Sequence, residues 1–401
     1  MSWPKFRDNS KLVDISPHLS LYIHIPFCRT KCTYCAFNTF TNQENSVENF
    51  IQAVTREIAI VGLGGHRPTL DTVYLGGGTP SLLNGEQLEK ILTAASSSFS
   101  FASNVEISLE ANPNDIVESY LNDVKQSGVN RLSIGMQSAN SNELKLFARR
   151  HDVQSVIDAM TVARKSGFQN VNLDLIYGIP NQSLADWNHS LEVALSLEPQ
   201  HMSLYALGLE AGTPLDYWIS EGQLSMVDDD VVADMYDMAT EKLNERGYQQ
   251  YEISNWAQPG YECRHNMQYW RNFPYIGVGP GAHGYANQVR YSTELSLHRY
   301  MKLLLGSNDG FEFPFTPSIV DYSVVDRPTE IAETLITGLR LTQEGIRRRA
   351  FFERFGVDLI ELHHQTIDRF VECGLLLVDE YTVRLTQRGR LLSNIIFREF
   401  V

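Results

Sequence analysis

Residues 21–37 read LYIHIPFCRTKCTYCAF, an apolar stretch that runs directly into a segment with three cysteines. The apolar positions of Leu21–Ile25 alternate, which predicts a buried β-strand and puts the cysteines on the loop that follows it. Cys28, Cys32 and Cys35 have the spacing C-x3-C-x2-C. An odd, clustered set of thiols in a chain of this size predicts metal or redox chemistry rather than disulfides.

The number of cysteines favours an iron–sulfur cluster over zinc. Structural zinc sites usually have four protein ligands, and the two other cysteines, Cys263 and Cys373, are single residues far along the chain. A four-iron cluster on three thiolates leaves one iron open to the amino and carboxylate groups of a methionine moiety. An electron from such a cluster can cleave the sulfonium bond of S-adenosylmethionine (SAM) to give a 5′-deoxyadenosyl radical. Buried structural cysteines or a zinc knuckle are the alternatives.

The rest of the first two-thirds predicts repeated βα units. Apolar, strand-like runs alternate with amphipathic stretches, which indicates a parallel sheet. Six units are too few for a closed eight-stranded barrel. We therefore predict an α/β fold with a partial (β/α)6 barrel as first choice and an open doubly wound sheet as second. The predicted strands are Leu21–Ile25, Thr72–Leu75, Val105–Glu110, Leu132–Gln137, Val171–Ile176 and Met202–Tyr205.

Alternation within these strands predicts a polar interior. In Val105–Glu110 the apolar residues share one face, which suits packing against helices, and the polar residues share the other. The same pattern recurs in the next two predicted strands. Glu110, Gln137 and Asp174 then lie at or near the C-terminal strand ends, where parallel α/β folds place their ligands.

The cysteine spacing on the loop after the first strand resembles the signature of the radical SAM superfamily. Residues 76–80, GGGTP, follow the second predicted strand, and glycines there let the backbone approach a ligand closely. The resemblance implies a [4Fe–4S] cluster on Cys28, Cys32 and Cys35. A plain turn at residues 76–80, and ordinary hydrogen bonding by the polar side chains, are the alternatives. The resemblance implies SAM contacts at Tyr22, Gly77, Gly78, Thr79, Glu110, Gln137, Arg149 and Asp174.

Nearly the whole chain resembles the coproporphyrinogen III dehydrogenase-like branch of that superfamily. The stretch YIHIPFC, the sequence NLDLIYGIP at residues 172–180 and the C-terminal texture carry the resemblance. True dehydrogenases of the branch have a fourth cysteine two residues after the third, where this chain has Phe37. They also carry an N-terminal extension, whereas about twenty residues precede Leu21 here. Both departures weaken a decarboxylase function.

A second group in the branch, the heme chaperones, carries the motif His-Asn-x-x-Tyr-Trp. Residues 265–270 read HNMQYW and match it. The resemblance implies heme as a third cofactor, with His265 able to supply an imidazole to iron and Tyr269 and Trp270 able to pack on a porphyrin. The alternative is an aromatic-rich loop that closes the barrel mouth, with His265 as an ordinary hydrogen-bonding residue.

Domain boundaries follow from changes in composition. We predict an N-terminal tail over 1–20, the partial barrel over 21–247, an aromatic-rich extension over 248–326 and a winged-helix-like module over 327–401. The stretch Tyr248–Arg290 is rich in aromatic residues, glycine and proline, which predicts irregular structure. The C-terminal module has 11 basic and 11 acidic residues, a balance that favours packing or docking over DNA binding.

These features predict a heme chaperone that transfers heme to apo-hemoproteins, with oxygen-independent coproporphyrinogen III dehydrogenase as the alternative and a radical enzyme on another substrate as a remote one. Whether the chain is an enzyme stays open. A flavodoxin or ferredoxin is the expected electron donor.

The net charge of −15 argues against non-specific nucleic-acid binding. Residues 1–20 lack the apolar run of a signal peptide, and no stretch approaches the roughly 20 apolar residues of a membrane span. We therefore predict a cytoplasmic protein, with peripheral membrane contact possible.

Overall fold

A computed structural model describes residues 19–62, 67–306 and 310–400. The predicted N-terminal tail, residues 1–20, thus lies outside the described residues except for its last two positions. The strands are β1 Leu19–Ile25, β2 Thr69–Gly77, β3 Ser100–Ala111, β4 Arg131–Gln137, β5 Val171–Tyr177, β6 His201–Ala206, β7 Gln249–Glu252, β8 Asn255–Ala257, β9 Tyr275–Val278, β10 His283–Ala286, β11 Val289–Thr293, β12 Ile319–Val324, β13 Ile346–Arg347, β14 Leu376–Val378 and β15 Thr382–Leu385. The α-helices are α1 Val47–Gly62, α2 Gly85–Ser98, α3 Glu118–Gln126, α4 Ser141–Leu146, α5 Val153–Lys165, α6 Leu184–Ser196, α7 Pro214–Ser220, α8 Asp229–Glu245, α9 Arg264–Trp270, α10 Leu297–Leu305, α11 Arg327–Gly338, α12 Arg348–Phe355, α13 Leu359–Glu372, α14 Gln387–Leu391 and α15 Ser393–Phe397.

One large sheet organises the first three-quarters of the chain. Strands β1 to β6 are parallel neighbours in chain order, and a helix follows each of them. The full strand order is β12-β11-β10-β9-β1-β2-β3-β4-β5-β6-β8-β7, so β12 and β7 form two edges and the sheet does not close. The predicted partial (β/α)6 barrel is confirmed, and all six predicted strands are present.

The helices begin where the sequence supplies caps, and they bury the apolar face of the strands. The side chains of Asn84, Asp152 and Ser183 each form a reciprocal capping box at the start of α2, α5 and α6. In β3, Ile107 and Leu109 belong to the main hydrophobic core together with residues of these helices. The polar face of the strands is consequently left to line the interior of the barrel.

The stretch Tyr248–Arg290 is regular, so the prediction of irregular structure there is wrong. It forms α9 and the strands β7 to β10, and β11 begins within it. Strands β8 and β9 pair with β6 and β1 and thereby extend the barrel sheet at both edges. Each of these strands has only three to five residues, too few for alternation to show in the sequence. Strands β8 and β9 take hydrogen-bond partners from the barrel strands β6 and β1, whereas β7, β10 and β11 pair with other strands of the extension.

The C-terminal residues form the predicted helical and sheet module. Strands β13, β15 and β14 make a small antiparallel sheet, and helices α11 to α13 pack on it. Leu335, Phe351, Ile367 and Val383 are buried in a second hydrophobic cluster, separate from that of the barrel. Within the described ranges, no helix is long and apolar enough to span a membrane.

A buried carboxylate joins the barrel to the extension. Glu57 on α1 accepts hydrogen bonds from Gly279 N at 2.8 Å, Tyr300 Oη at 2.6 Å and Thr316 Oγ1 at 2.8 Å, and also from Ser318 Oγ. Burial raises the pKa of Glu57, and the four donors act against that rise. These contacts hold residues 279–282 beside the loop that carries the cysteines.

Candidate cluster and cofactor site

The three predicted cluster ligands lie on one wall of one cavity. Cys28, Cys32 and Cys35 are free thiols, each partly exposed, and they line a cavity of about 610 Å³ at the C-terminal ends of the barrel strands. Thr79 Oγ1 donates to Cys28 Sγ at 3.4 Å, and Arg149 Nη1 lies 3.5 Å from Cys32 Sγ. In the part of the chain that the structure describes, no three His, Cys, Asp or Glu side chains converge on a single ion. The three thiols nevertheless line the same cavity.

Backbone and side-chain hydrogen bonds fix the cysteine loop. Cys28 N donates to Phe40 O at 3.0 Å, which closes the loop at its two ends. His24 Nε2 lies 2.9 Å from Asn38 O, and a carbonyl only accepts, so this nitrogen carries the proton. Asn38 Nδ2 in turn donates to Pro280 O at 2.9 Å and to Leu295 O at 2.8 Å. The loop is thus held by the barrel on one side and by the extension on the other.

The glycine-rich loop packs directly against the cysteine loop. Gly78 N and Thr79 N donate to Ile25 O and Phe27 O, both at 2.8 Å. A Cβ atom on Gly78 would lie 2.6 Å from Phe27 O, so no larger residue fits between the two loops. Gly77 has a φ of +107° and donates its N–H to Glu110 Oε2 at 3.0 Å. This loop therefore presents backbone to the cavity beside the cysteines.

Two partly buried acids line the cavity together with the cysteines. Glu110 accepts from Tyr74 Oη at 2.9 Å, and burial raises its pKa to about 7. Asp174 accepts from Ser133 Oγ at 3.1 Å and from Asn172 Nδ2 at 2.8 Å, and burial raises its pKa as well. Both acids line the cavity. A cation in this space would favour their ionised forms.

Gln137 and Arg149 line the same cavity. The strand register shifts between Gly135 and Gln137, and Gln137 has a φ of +64°, which an L-residue seldom adopts. Arg149 Nη2 donates to Gly135 O at 2.9 Å. A Cβ on Gly135 would lie 2.8 Å from Gln137 Nε2 and 2.9 Å from Arg149 Nη2, so the glycine makes room for both side chains.

Tyr22 is the predicted SAM contact that does not line this cavity. Its hydroxyl lies 3.0 Å from His24 Nδ1, and its ring stacks on Tyr74 with centroids 6.3 Å apart. Since His24 Nε2 carries the proton, the neutral ring accepts at Nδ1 and the Tyr22 hydroxyl donates. Tyr22 therefore contacts the cavity wall from behind, through His24 and Tyr74.

His265 lies behind the cavity in the first turn of α9, and its ring stacks on the cavity-lining Tyr74 with centroids 5.0 Å apart. Its Nδ1 lies 2.7 Å from Thr72 Oγ1 and its Nε2 lies 2.8 Å from Tyr269 Oη, so both ring nitrogens have partners. Glu106 accepts from His265 N at 3.1 Å and thereby caps the first turn of α9. Burial, followed by the charge of Arg131, lowers the pKa of His265 to about 3. The imidazole is therefore neutral and engaged.

The aromatic residues of the motif are also engaged. Tyr269 packs edge-on against Tyr275, with ring centroids 4.6 Å apart. The guanidinium of Arg340 lies 4.3 Å from the ring centroid of Trp270, so this indole contacts the first part of the C-terminal module. The side chains of the motif, which lies within α9, thus pack this helix against the neighbouring elements.

Several polar residues that line the cavity were not among the predicted site residues. Arg131 and Ser133 precede Gly135 and Gln137 at alternate positions of β4, so the same alternation could have found them. The strand was predicted to begin at Leu132, which excluded Arg131. Asn266 reaches the cavity from α9, and no local pattern indicates this.

Comparison with known proteins agrees with the geometry. The Radical SAM superfamily pattern matches residues 22–194, and that of the HemN C-terminal domain matches residues 325–392. Heme chaperone HemW of Bacillus subtilis (strain 168) is 36% identical over 383 residues, which are 95% of this chain and 99% of that protein. The chain belongs to the HemW family of radical SAM proteins. Heme chaperone HemW of Mycobacterium tuberculosis (strain ATCC 25618 / H37Rv) is 36% identical over 385 residues, 94% of this chain and 93% of that one.

Among solved structures, coproporphyrinogen III oxidase (HemN) from Escherichia coli has the same fold as this HemW family member. The TM-score is 0.81 at 22% identity, over 96% of this chain and 91% of that chain. The radical SAM superfamily implies a [4Fe–4S] cluster and SAM as cofactors. Three free, partly exposed thiols on one loop fit such a cluster, because it needs accessible thiolates and one open iron. The three cysteines are therefore not fully buried structural residues.

Proposed function

We propose that this chain is a heme chaperone, which binds heme and hands it to apo-hemoproteins while it carries a [4Fe–4S] cluster and SAM. The observation that carries this proposal is the similarity, over nearly the full length, to proteins named heme chaperone HemW. Phe37 adds support, because it takes the position of the fourth cysteine of the dehydrogenase group and is 64% exposed at the cavity.

The proposed cofactor roles follow from the walls of the cavity. Cys28, Cys32 and Cys35 would hold the cluster, which when bound supplies the electron for SAM cleavage. SAM carries a sulfonium and an ammonium group. Burial raises the pKa values of Glu110 and Asp174, and a cation in the same cavity would stabilise their ionised forms.

The remaining predicted SAM contacts each have a role in the proposed binding of SAM. The backbone of Gly77, Gly78 and Thr79 would bind the ligand edge next to the cysteines. Gln137 and Arg149, which line the same cavity, would add polar contacts, and Arg149 lies beside Cys32. Tyr22 would act indirectly, by orienting His24 and Tyr74 behind that surface.

A heme contact at His265 requires a local change. The imidazole must give up either Thr72 or Tyr269 before one ring nitrogen can reach an iron. The other interpretation, an ordinary hydrogen-bonding role that positions α9, agrees with the contacts as they stand. The two interpretations differ in what loss of the Tyr269 hydroxyl does.

Hemin titration of anaerobically reconstituted protein, followed by its visible spectrum, tests the proposal. We expect saturable one-to-one binding, and release of heme to an apo-hemoprotein acceptor. If His265 ligates iron, His265→Ala weakens binding and shifts the Soret band, whereas Tyr269→Phe, which frees Nε2, binds at least as tightly as wild type. His298, which is exposed on α10, provides the control His298→Ala. Absence of stoichiometric hemin binding by wild type would refute the chaperone function.

The second candidate, oxygen-independent coproporphyrinogen III decarboxylation, has the shared fold of HemN as its support. It predicts that reconstituted protein with SAM and dithionite decarboxylates the propionate groups of coproporphyrinogen III. SAM cleavage without that product would exclude it.

We also retain the proposed setting of the protein: a cytoplasmic location, a flavodoxin or ferredoxin as electron donor, and peripheral membrane contact at a heme-receiving complex. Partial exposure of the cysteine loop supports approach of a donor. The boundaries 21–247, 248–326 and 327–401 stay as proposed domain limits, with the separate hydrophobic cluster of the last segment as support.

A further inference from the structure

Arg131 is a fully buried guanidinium that faces the cavity without a partner. It begins β4, is 2% exposed and lines the cavity. Its Nε has no hydrogen-bond partner, and no hydrogen bond within the described ranges reaches its terminal nitrogens. Arg149, which is partly buried in the same cavity, differs because its Nη2 donates to Gly135 O at 2.9 Å. A buried charge without hydrogen bonds is unstable unless a ligand or water completes it.

The acids near Arg131 are each held by other donors. Glu106 accepts the first backbone N–H groups of α9, at 3.1 Å from both Arg264 N and His265 N. Glu110 is bound by a tyrosine hydroxyl and a glycine N–H, and Asp174 by a serine hydroxyl and an asparagine amide. The negative charges around Arg131 act on it through space without a direct contact. Its hydrogen-bonding capacity is therefore left for whatever enters the cavity.

The guanidinium of Arg131 favours one class of partner. A guanidinium presents a planar fork of N–H donors that matches a carboxylate, and burial strengthens such a charge-assisted pair. Ser133 and Asn172 also line the cavity and add polar side chains to its surface. We propose that Arg131 anchors a carboxylate of the ligand that fills this cavity. Two sources carry that group: the methionyl end of SAM and a propionate of heme. The heme source rests on the proposed chaperone function, and the SAM source does not.

Matched probes separate the two sources. Reconstituted wild type, Arg131→Gln and Arg131→Lys are titrated with hemin and hemin dimethyl ester, and with SAM and decarboxylated SAM. Arg150 also lines the cavity but is already paired with Asp115 at 3.3 Å, so Arg150→Gln is the control variant. We expect Arg131→Gln to weaken binding of one acid probe at least tenfold while its carboxyl-free counterpart binds as it does to wild type.

Each outcome decides the proposal. Selective loss with hemin assigns the propionate, and selective loss with SAM assigns the methionyl carboxylate. Equal affinities in wild type and Arg131→Gln for both acids, or equal losses for acid and carboxyl-free probes, would overturn the proposal and leave Arg131 as a structural counter-charge. If Arg131→Gln does not fold, Arg131→Lys is the deciding variant, because it keeps the charge but loses the planar fork of donors. An unchanged preference for the acid probe over its carboxyl-free counterpart would then overturn the proposal. A reduced preference would support it. Failure of wild type to bind hemin refutes the chaperone function alone, since the SAM titrations still test Arg131.

Discussion

Replacing His265 with glutamine should alter the pH dependence of folding in a calculable way. The imidazole is buried between Thr72 and Tyr269, and its pKa is lowered to about 3 in the folded chain. In the unfolded chain a histidine titrates near 6.5. Because the folded pKa is the lower one, this group contributes full stability above pH 6.5, and the contribution is lost as the pH falls toward 3.

The magnitude follows from the two pKa values. Between pH 7 and pH 5 the unfolded imidazole takes up a proton and the folded one does not, which costs the folded state about 2 kcal/mol. Loss of the two hydrogen bonds in His265→Gln should lower the free energy of unfolding by about 2–4 kcal/mol at pH 7. The variant lacks the titrating group. The difference in free energy of unfolding between wild type and variant should therefore be about 2 kcal/mol smaller at pH 5 than at pH 7.

Urea unfolding of heme-free protein at the two pH values, followed by tryptophan fluorescence, measures this. Other titrating groups are common to both proteins and cancel in the comparison. His298→Gln, at an exposed position of α10, is the matched control variant. A difference in the free energy of unfolding between wild type and His265→Gln that stays constant from pH 7 to pH 5 would refute the reasoning, because it would mean that His265 takes up its proton in the folded chain over the same pH range as in the unfolded chain.

Three further changes test the structure around the cavity. Glu57→Gln should lower the free energy of unfolding by about 2–4 kcal/mol in urea titrations, because an amide cannot accept from all four donors; an unchanged midpoint would contradict this. Gly281→Ala should destabilise the chain and reduce the iron content after reconstitution more than Gly260→Ala does. Both glycines have positive φ, +82° and +86°, but only at Gly281 would a Cβ meet Asn38, at 2.8 Å; equal effects would exclude a role for that contact. Glu110→Gln should weaken SAM binding about tenfold or more in equilibrium dialysis, because it removes a carboxylate from the cavity that would hold the SAM cation; unchanged affinity would remove Glu110 from the site.

Features that depend on neighbouring positions along the chain could be determined from the sequence alone. The spacing of Cys28, Cys32 and Cys35 on a loop after a strand depends only on local order, and the structure has them on one cavity wall. Alternation within strands likewise predicted that Glu110 and Asp174 share an interior face, because the side-chain period of a strand is two whatever packs around it. The six strands and the amphipathic helices between them follow from the same local periodicities.

Only the tertiary structure decided what pairs across the fold. Strands β8 and β9 of the extension join the large sheet because the distant barrel strands β6 and β1 supply hydrogen-bond partners for them. His265 has the sequence context of an available imidazole, yet Thr72, from a strand nearly two hundred residues earlier, and Tyr269 occupy both of its nitrogens. Arg131 shows the converse: nothing in its local sequence indicates that a buried arginine lacks a partner, because whether a charge is paired depends on which distant groups folding brings within hydrogen-bonding distance.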